Sequence, residues 1–234
     1  MKNRVFAAVL VSTLATISLS AQPKEEHKLV QFQMAILKKG PKWEATKEAD
    51  RNSIFKEHLG NVISLLTSGK ATAAGPFGDD TDLAGIFILR AASSDEAKTW
   101  VDADPAVKAG LLVAEIHPWW SEDIFKKAVM PLKMNTVYFG FLKKGPNRKE
   151  GDGNNPEIQE LQKAHIQNIN RLAETRKLVV AGPFGDDGEL RGIFVFRVGS
   201  MKEAEELAAT DPMIKIDRLR LELHPWKVPE GVLP

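Results

Sequence analysis

The sequence contains no cysteine, so it can build neither a disulfide framework nor a thiolate zinc site, and it offers no thiol nucleophile. It has no excess of charge: 32 basic and 31 acidic side chains give a formal +1. A chain so balanced lacks the electrostatic footprint of a nucleic-acid or anionic-membrane partner. No block of like charge suggests a disordered tail. Only one tyrosine is present, and the phenylalanines and tryptophans are dispersed rather than grouped as a base-stacking platform.

An apolar run of the roughly 20 residues needed for a membrane-spanning helix is also missing. The run at residues 5–19 falls short of that length. It follows Lys2 and Arg4, and it leads through Ser18, Ser20 and Ala21 into a polar segment. That layout predicts a secretory signal peptide over residues 1–21, with cleavage after Ser20 or Ala21; an uncleaved anchor is the alternative. No cysteine follows the run, which excludes lipoprotein attachment. The expectation is an exported protein, periplasmic or secreted, with no membrane association after cleavage. Losing Lys2 and Arg4 leaves 30 basic against 31 acidic side chains, a formal −1.

What is present is a repeat. "AGPFGDD" stands at residues 74–80 and again at 181–187. "LKKGP" recurs at 37–41 and 142–146, an offset of 105. From His58 and His165 onward the offset is 107: Gly75 and Gly182, Asp104-Pro105 and Asp211-Pro212, His117-Pro118-Trp119 and His224-Pro225-Trp226. Two residues were inserted near "NRKEGDGNN". The units span about 29–120 and 134–227, joined by 121–133 and followed by a tail at 228–234. Each unit is a whole domain rather than a solenoid module, and is large enough for a modest core.

Within a unit, Val30, Phe32, Met34 and Ile36 alternate with Gln31, Gln33 and Ala35, which predicts a strand. A long helix, a strand ending in "AGP" and a strand "GIFILR" or "GIFVFR" follow. Ser93 with Glu96, and Ser200 with Glu203, form capping boxes that open a second helix, and a last strand ends at "HPW". The order βαββαβ, written twice, predicts an α+β protein of two ferredoxin-like sandwiches. The face of each sheet away from the helices, assigned Leu37, Tyr138, Leu142 and Trp119 among Gln31, Gln33 and His117, is too apolar for water. The two faces are expected to cover one another as an intrachain pseudo-dimeric α/β barrel, the chain being a monomer or a weak homo-oligomer.

His58 occupies a helical stripe with Ile54, Val62 and Leu65; His165 lies among Ile158, Leu161, Ile169 and Leu172. Each is either a satisfied core histidine or a base facing a pocket between helix and sheet, and a nearby carboxylate would set its charge state. Asp104 and Asp211, each before Pro, read as N-caps of short helices; one oxygen can cap while the other reaches the histidine. Gly75, Pro76, Asp79 and their copies Gly182, Pro183, Asp186 read as a tight inter-strand loop on the pocket rim. A divalent metal on that acidic loop lacks any His or Cys at ligand spacing, and the turn explanation suffices. His117 and His224 share a strand face with Trp119 and Trp226 and read as domain-interface residues. "GPFGDDG" lacks the Lys and following helix of a phosphate loop, and there is no nucleophile elbow and no zinc spacing.

A helical His, "AGP" closing a strand, and "EA" running into "DP" before a final strand resemble the YciI-like (YCII-related) proteins. The resemblance covers nearly all of the chain after the leader, as two units in one polypeptide. It implies the dimeric α/β barrel arrangement, and a catalytic pair at His58 with Asp104 and at His165 with Asp211. It also implies lyase- or isomerase-like acid/base chemistry on small rings without cofactor or metal. A binding protein using the same pockets, and a structural or interaction module with buried histidines, are the other readings.

Overall fold

The computed structural model describes residues 28–234; the expected signal segment lies outside them. The first half comprises β1 (Leu29–Lys39), α1 (Glu48–Thr67), β2 (Ala71–Pro76), β3 (Leu83–Leu89), α2 (Ser94–Asp102), α3 (Pro105–Lys108) and β4 (Leu112–Glu122). The second repeats it as β5 (Met134–Lys144), α4 (Pro156–Glu174), β6 (Leu178–Pro183), β7 (Leu190–Phe196), α5 (Met201–Ala208), α6 (Pro212–Lys215) and β8 (Leu219–Pro229). Sheet orders are β2-β3-β1-β4 and β6-β7-β5-β8, all neighbours antiparallel, as the ferredoxin-like reading requires. Among the described residues no helix is long and apolar enough to cross a membrane.

Local signals account for the helix starts. The Ser93 and Ser200 hydroxyls accept from the Glu96 and Glu203 amides, and each Glu carboxylate returns to an amide before the helix, Ala92 or Gly199. Both capping boxes are therefore closed. Asn155 caps α4 through the Glu157 amide, with Pro156 in the first turn.

The two sheets face one another across a shared apolar layer. Phe32, Met34, Ile36 and Trp119 of the first half pack with Val137, Phe139, Phe141 and Trp226 of the second, all nearly inaccessible. Leu37, Leu142 and Tyr138, assigned to this face from sequence, belong instead to the helix-covered clusters. β5 is apolar on both sides, with Tyr138 and Leu142 toward the helices and Val137, Phe139 and Phe141 toward the partner sheet. β1 sets Ala35 and Leu37 beside Gln31 and Gln33 on its helix side. A period of two therefore separates the faces without saying which is which. Ser121 and Glu122 continue β4, and β8 runs on to Pro229. The joining segment and the tail hold each other: Lys126 N–H donates to Val232 O and Glu230 N–H to Lys133 O, while Val232 and Leu233 join the inter-sheet layer.

The recurring "AGPFGDD" segments clasp the halves together. The Trp226 indole N–H donates to Gly75 O at 3.0 Å, and that of Trp119 to Gly182 O at 3.1 Å. Gly78 and Gly185 amides donate to Pro225 and Pro118 carbonyls, both at 2.7 Å. Phe77 bridges to Trp226, and Phe184 to Trp119. His224 Nδ1 meets Asp79 at 2.6 Å, and His117 Nδ1 meets Asp186 at 2.7 Å. Asp79 and Asp186 are thus cross-domain partners of the strand-end histidines rather than pocket-rim residues. The sequence reading erred because their partners lie 145 and 69 positions away.

The glycine of each segment is demanded by this contact. A Cβ on Gly75 would stand 1.8 Å from Lys227 O, and one on Gly182 would stand 1.9 Å from Trp120 O, both backbone atoms. Gly75→Ala and Gly182→Ala should each destabilise the protein by at least roughly 1–3 kcal/mol, the ordinary cost of overpacking. Urea unfolding measures it, and a midpoint shift no larger than that of Gly60→Ala, where a Cβ meets open space, would contradict the clasp.

Candidate functional site

Each His–Asp pair joins the long helix of a half to its short one. The Asp104 carboxylate starts α3: Oδ1 accepts the Ala106 amide at 2.9 Å and the Val107 amide at 3.4 Å. His58 Nδ1 lies 2.8 Å from Oδ2 and 2.9 Å from Oδ1, and Asn61 Nδ2 donates to Oδ2 at 2.8 Å. In the second half Asp211 Oδ1 accepts the Met213 amide at 2.9 Å, while Oδ2 takes His165 Nδ1 at 2.7 Å and Asn168 Nδ2 at 3.4 Å. One carboxylate thus caps a helix and orients an imidazole at once. Both aspartates are wholly buried. Asn61 and Asn168, not singled out from sequence, occupy the same repeat register one turn after each histidine, and that coincidence is the signal that could have found them.

The four repeated histidines divide by their second nitrogen. His117 Nε2 and His224 Nε2 are buried without a hydrogen-bond partner; a Glu222 oxygen 3.3 Å from the latter lacks hydrogen-bonding geometry. His58 and His165 also leave Nε2 without a partner, but there the atom remains accessible. A neutral imidazole that donates Nδ1–H to a carboxylate presents a lone pair at Nε2. His58 and His165 therefore keep an accessible lone pair at Nε2, whereas in the clasp pair that atom is buried.

His58 opens on a cavity of about 250 Å³ between α1 and the sheet. Phe55, Leu59 and Val62 form its helical wall, Ala74, Gly75, Pro76 and Phe87 its floor, and Leu132, Met134 and Pro229 reach in from beyond the first half. Among the described residues His58 is the one titratable side chain lining it. Phe55 meets the imidazole edge-on at 5.4 Å between centroids, and Phe87 stands at 6.2 Å. On the second half, a cavity of about 420 Å³ includes Gly182, Pro183, Ile166 and Ile169, but His165 is not part of its lining. His165 instead stacks on Phe194 at 6.1 Å. Of the expected rim residues, Gly75 and Pro76 thus border a histidine cavity, Gly182 and Pro183 border a different one, and Asp79 and Asp186 border neither.

The Asp104 carboxyl is held below its ordinary value. Burial alone would raise it, but the His58 hydrogen bond and charge, the Asn61 amide and the Ala106 N–H outweigh burial together. A depressed carboxyl stabilises the fold fully above its unfolded value, about 3.9, and the contribution is lost as pH falls through the lower folded one. Asp104→Asn should cost about 2 kcal/mol at pH 6. Measured by urea midpoints, its deficit against the parent should shrink as pH falls below 4; a deficit independent of pH would contradict a carboxylate at this position.

Comparison with known proteins agrees with this architecture. The uncharacterized protein YjpA of Bacillus subtilis is 30% identical over 70 residues, 30% of this chain and 80% of that protein. A chlorite dismutase variant from Candidatus Nitrospira defluvii superposes with a TM-score of 0.55 at 13% identity, covering 87% of this chain and 92% of that one. A heme-binding protein from Thermus thermophilus gives 0.50 at 14%, covering 88% and 95%. At such identities the two structures speak for the fold, a pair of ferredoxin-like units closed into an α/β barrel. Residues 32–120 and 140–227 each match the YCII-related domain, and the chain belongs to that family, carrying two tandem copies.

Proposed function

We propose that this is an exported protein handling small, largely apolar molecules by acid/base chemistry without a resident cofactor, with His58 moving the proton and Asp104 orienting the ring. The supporting observation is the accessible Nε2 of His58, the one titratable group facing an apolar cavity, while Nδ1 is tied to a buried carboxylate. A purely structural histidine would have packed hydrocarbon there instead. His165 with Asp211 is the corresponding pair of the second copy.

The cavity limits the ligand. Its volume, about 250 Å³, lies below the roughly 300–1,000 Å³ of drug-sized pockets. A single ring of six or seven atoms suits it, and a porphyrin such as the heme-binding neighbour takes does not fit. The reaction available is proton abstraction: Nε2 takes a proton from a carbon or oxygen of the ligand, the imidazolium is stabilised by Asp104, and the same proton is returned elsewhere. A non-catalytic binding role is favoured by one feature, the absence of any side-chain hydrogen-bond donor besides His58 in the lining, because a developing oxyanion would find little support.

Solvent-deuterium exchange at the α-carbon of cyclohexanone separates these readings. Saturable exchange that falls at least about 100-fold in His58→Gln is expected of the acid/base protein. Saturable binding of cyclohexanone without exchange would replace that reading with the binding one. Neither exchange nor binding would remove both.

A further inference from the structure

The second copy departs from the first at several positions around its His–Asp pair, and at four of them it carries a polar or charged side chain in place of an apolar one. In the first copy Trp43 meets Phe55 edge-on at 5.7 Å, and Arg51 and Lys39 lie over its ring at 5.5 and 5.7 Å. Ala84 lines the His58 cavity, and Leu111 is fully buried. In repeat register these four positions carry Arg148, Gln162, Arg191 and Arg218. A filled aromatic corner has become a cleft of about 800 Å³ that all four of the later residues line. Gln162 stands one turn before His165 on α4, and Met213, whose amide binds Asp211, lines the same cleft. The cleft therefore touches both elements that hold the second pair.

Its charge is basic on balance. Six basic side chains line it against three acidic ones, although Lys163 is paired with Glu160 outside the cleft, and Lys144 and Arg191 donate to the Asp187 and Asp186 carbonyls. Asp152 is engaged by Arg218 in a two-pronged contact at 2.5 and 2.8 Å. Asp187 is fully exposed and stands 4.0 Å from Arg191. The Arg148 side chain makes no hydrogen bond or ion pair with the described residues. Partial desolvation of this largely solvent-exposed side chain, then the charges of Arg191 and Arg218, hold its guanidinium below the ordinary value, with Asp152 only partly opposing them. Buried Arg218 also keeps its Nε without a partner. Guanidinium forks converging on an open cleft match the oxygens of a carboxylate or a phosphate.

We propose that the second copy binds a small anionic ligand, with a carboxylate or phosphate group held by Arg148 and Arg191 next to the His165–Asp211 pair, while the first copy takes an apolar one. This assignment extends the ligand-site reading to the second copy, but its test needs no turnover. The whole chain is titrated with inorganic phosphate and with acetate at constant ionic strength, following arginine Nε–H signals by NMR. Saturable shifts confined to the cleft are expected. Tighter phosphate binding points to a phosphorylated ligand, and tighter acetate binding to an organic acid.

Arg148→Trp combined with Arg191→Ala restores the residues of the first copy and should weaken binding at least about tenfold. Arg148→Gln, at an exposed position, serves the same purpose should the double variant fold poorly. Unsaturable shifts, or binding equally strong in the variants, would overturn the proposal. A cleft silent to both anions beside an active His58 would overturn it alone and leave the acid/base reading of the first copy standing.

Discussion

Two sheet faces, each carrying aromatic and branched side chains that water cannot accommodate, impose the constraint from which the rest of the structure follows. Helices cover only one side of each sheet, yet the other side of β1 and β5 is a continuous apolar row. Phe32, Met34 and Ile36 must meet Val137, Phe139 and Phe141. Aromatic side chains bury some 150–250 Å² each, so this layer dominates the association of the halves. Once the faces are pressed together their edges meet, and β2 approaches β8 as β6 approaches β4. The glycines there let an indole and a backbone carbonyl come within contact distance. The same closure brings Met134 and Pro229 over the first copy's cavity, so the wall around His58 is completed by the other half.

The histidines show how one local chemistry serves two ends. Every one of the four places Nδ1 on an aspartate. In the clasp the aspartate belongs to the other half, and the second nitrogen is buried, with Phe77 and Phe184 against the rings at 5.2 and 5.4 Å and a Glu222 oxygen 3.3 Å from that of His224. In the pairs beside the helices the aspartate belongs to the same half and also caps a helix, which fixes it without any help from the barrel. Its imidazole keeps a free nitrogen toward open space. Burial of that second atom, rather than the His–Asp contact, separates a fastening from a candidate site.

Duplication within one chain removes the symmetry that a dimer of identical units would enforce. Each copy can then change the surroundings of its histidine independently. The first has an aromatic corner and an apolar cavity where the second has arginines and a wider cleft. The clasp, which needs both copies to agree, is identical at Gly75 and Gly182, Asp79 and Asp186, His117 and His224, and Trp119 and Trp226. The inter-sheet layer instead sets Phe32, Met34 and Ile36 of one copy in repeat register with Val137, Phe139 and Phe141 of the other.

The sequence by itself determined the two-unit organisation, the βαββαβ order, the capped helix starts and the Asp-Pro helix openings. All of these depend on spacing and on contacts within a few residues. The pairing of the faces was also legible, because apolar strands with helices on one side need a second cover. The tertiary structure alone decided which residues of β1 and β5 face the partner sheet, since both rows of each strand contain apolar side chains and alternation does not say which row the helices cover. It alone gave Asp79 and Asp186 to histidines of the opposite half, a contact between segments up to 145 positions apart. It alone showed which imidazole nitrogens stay open, because accessibility belongs to the packing of the whole chain and not to any stretch of it.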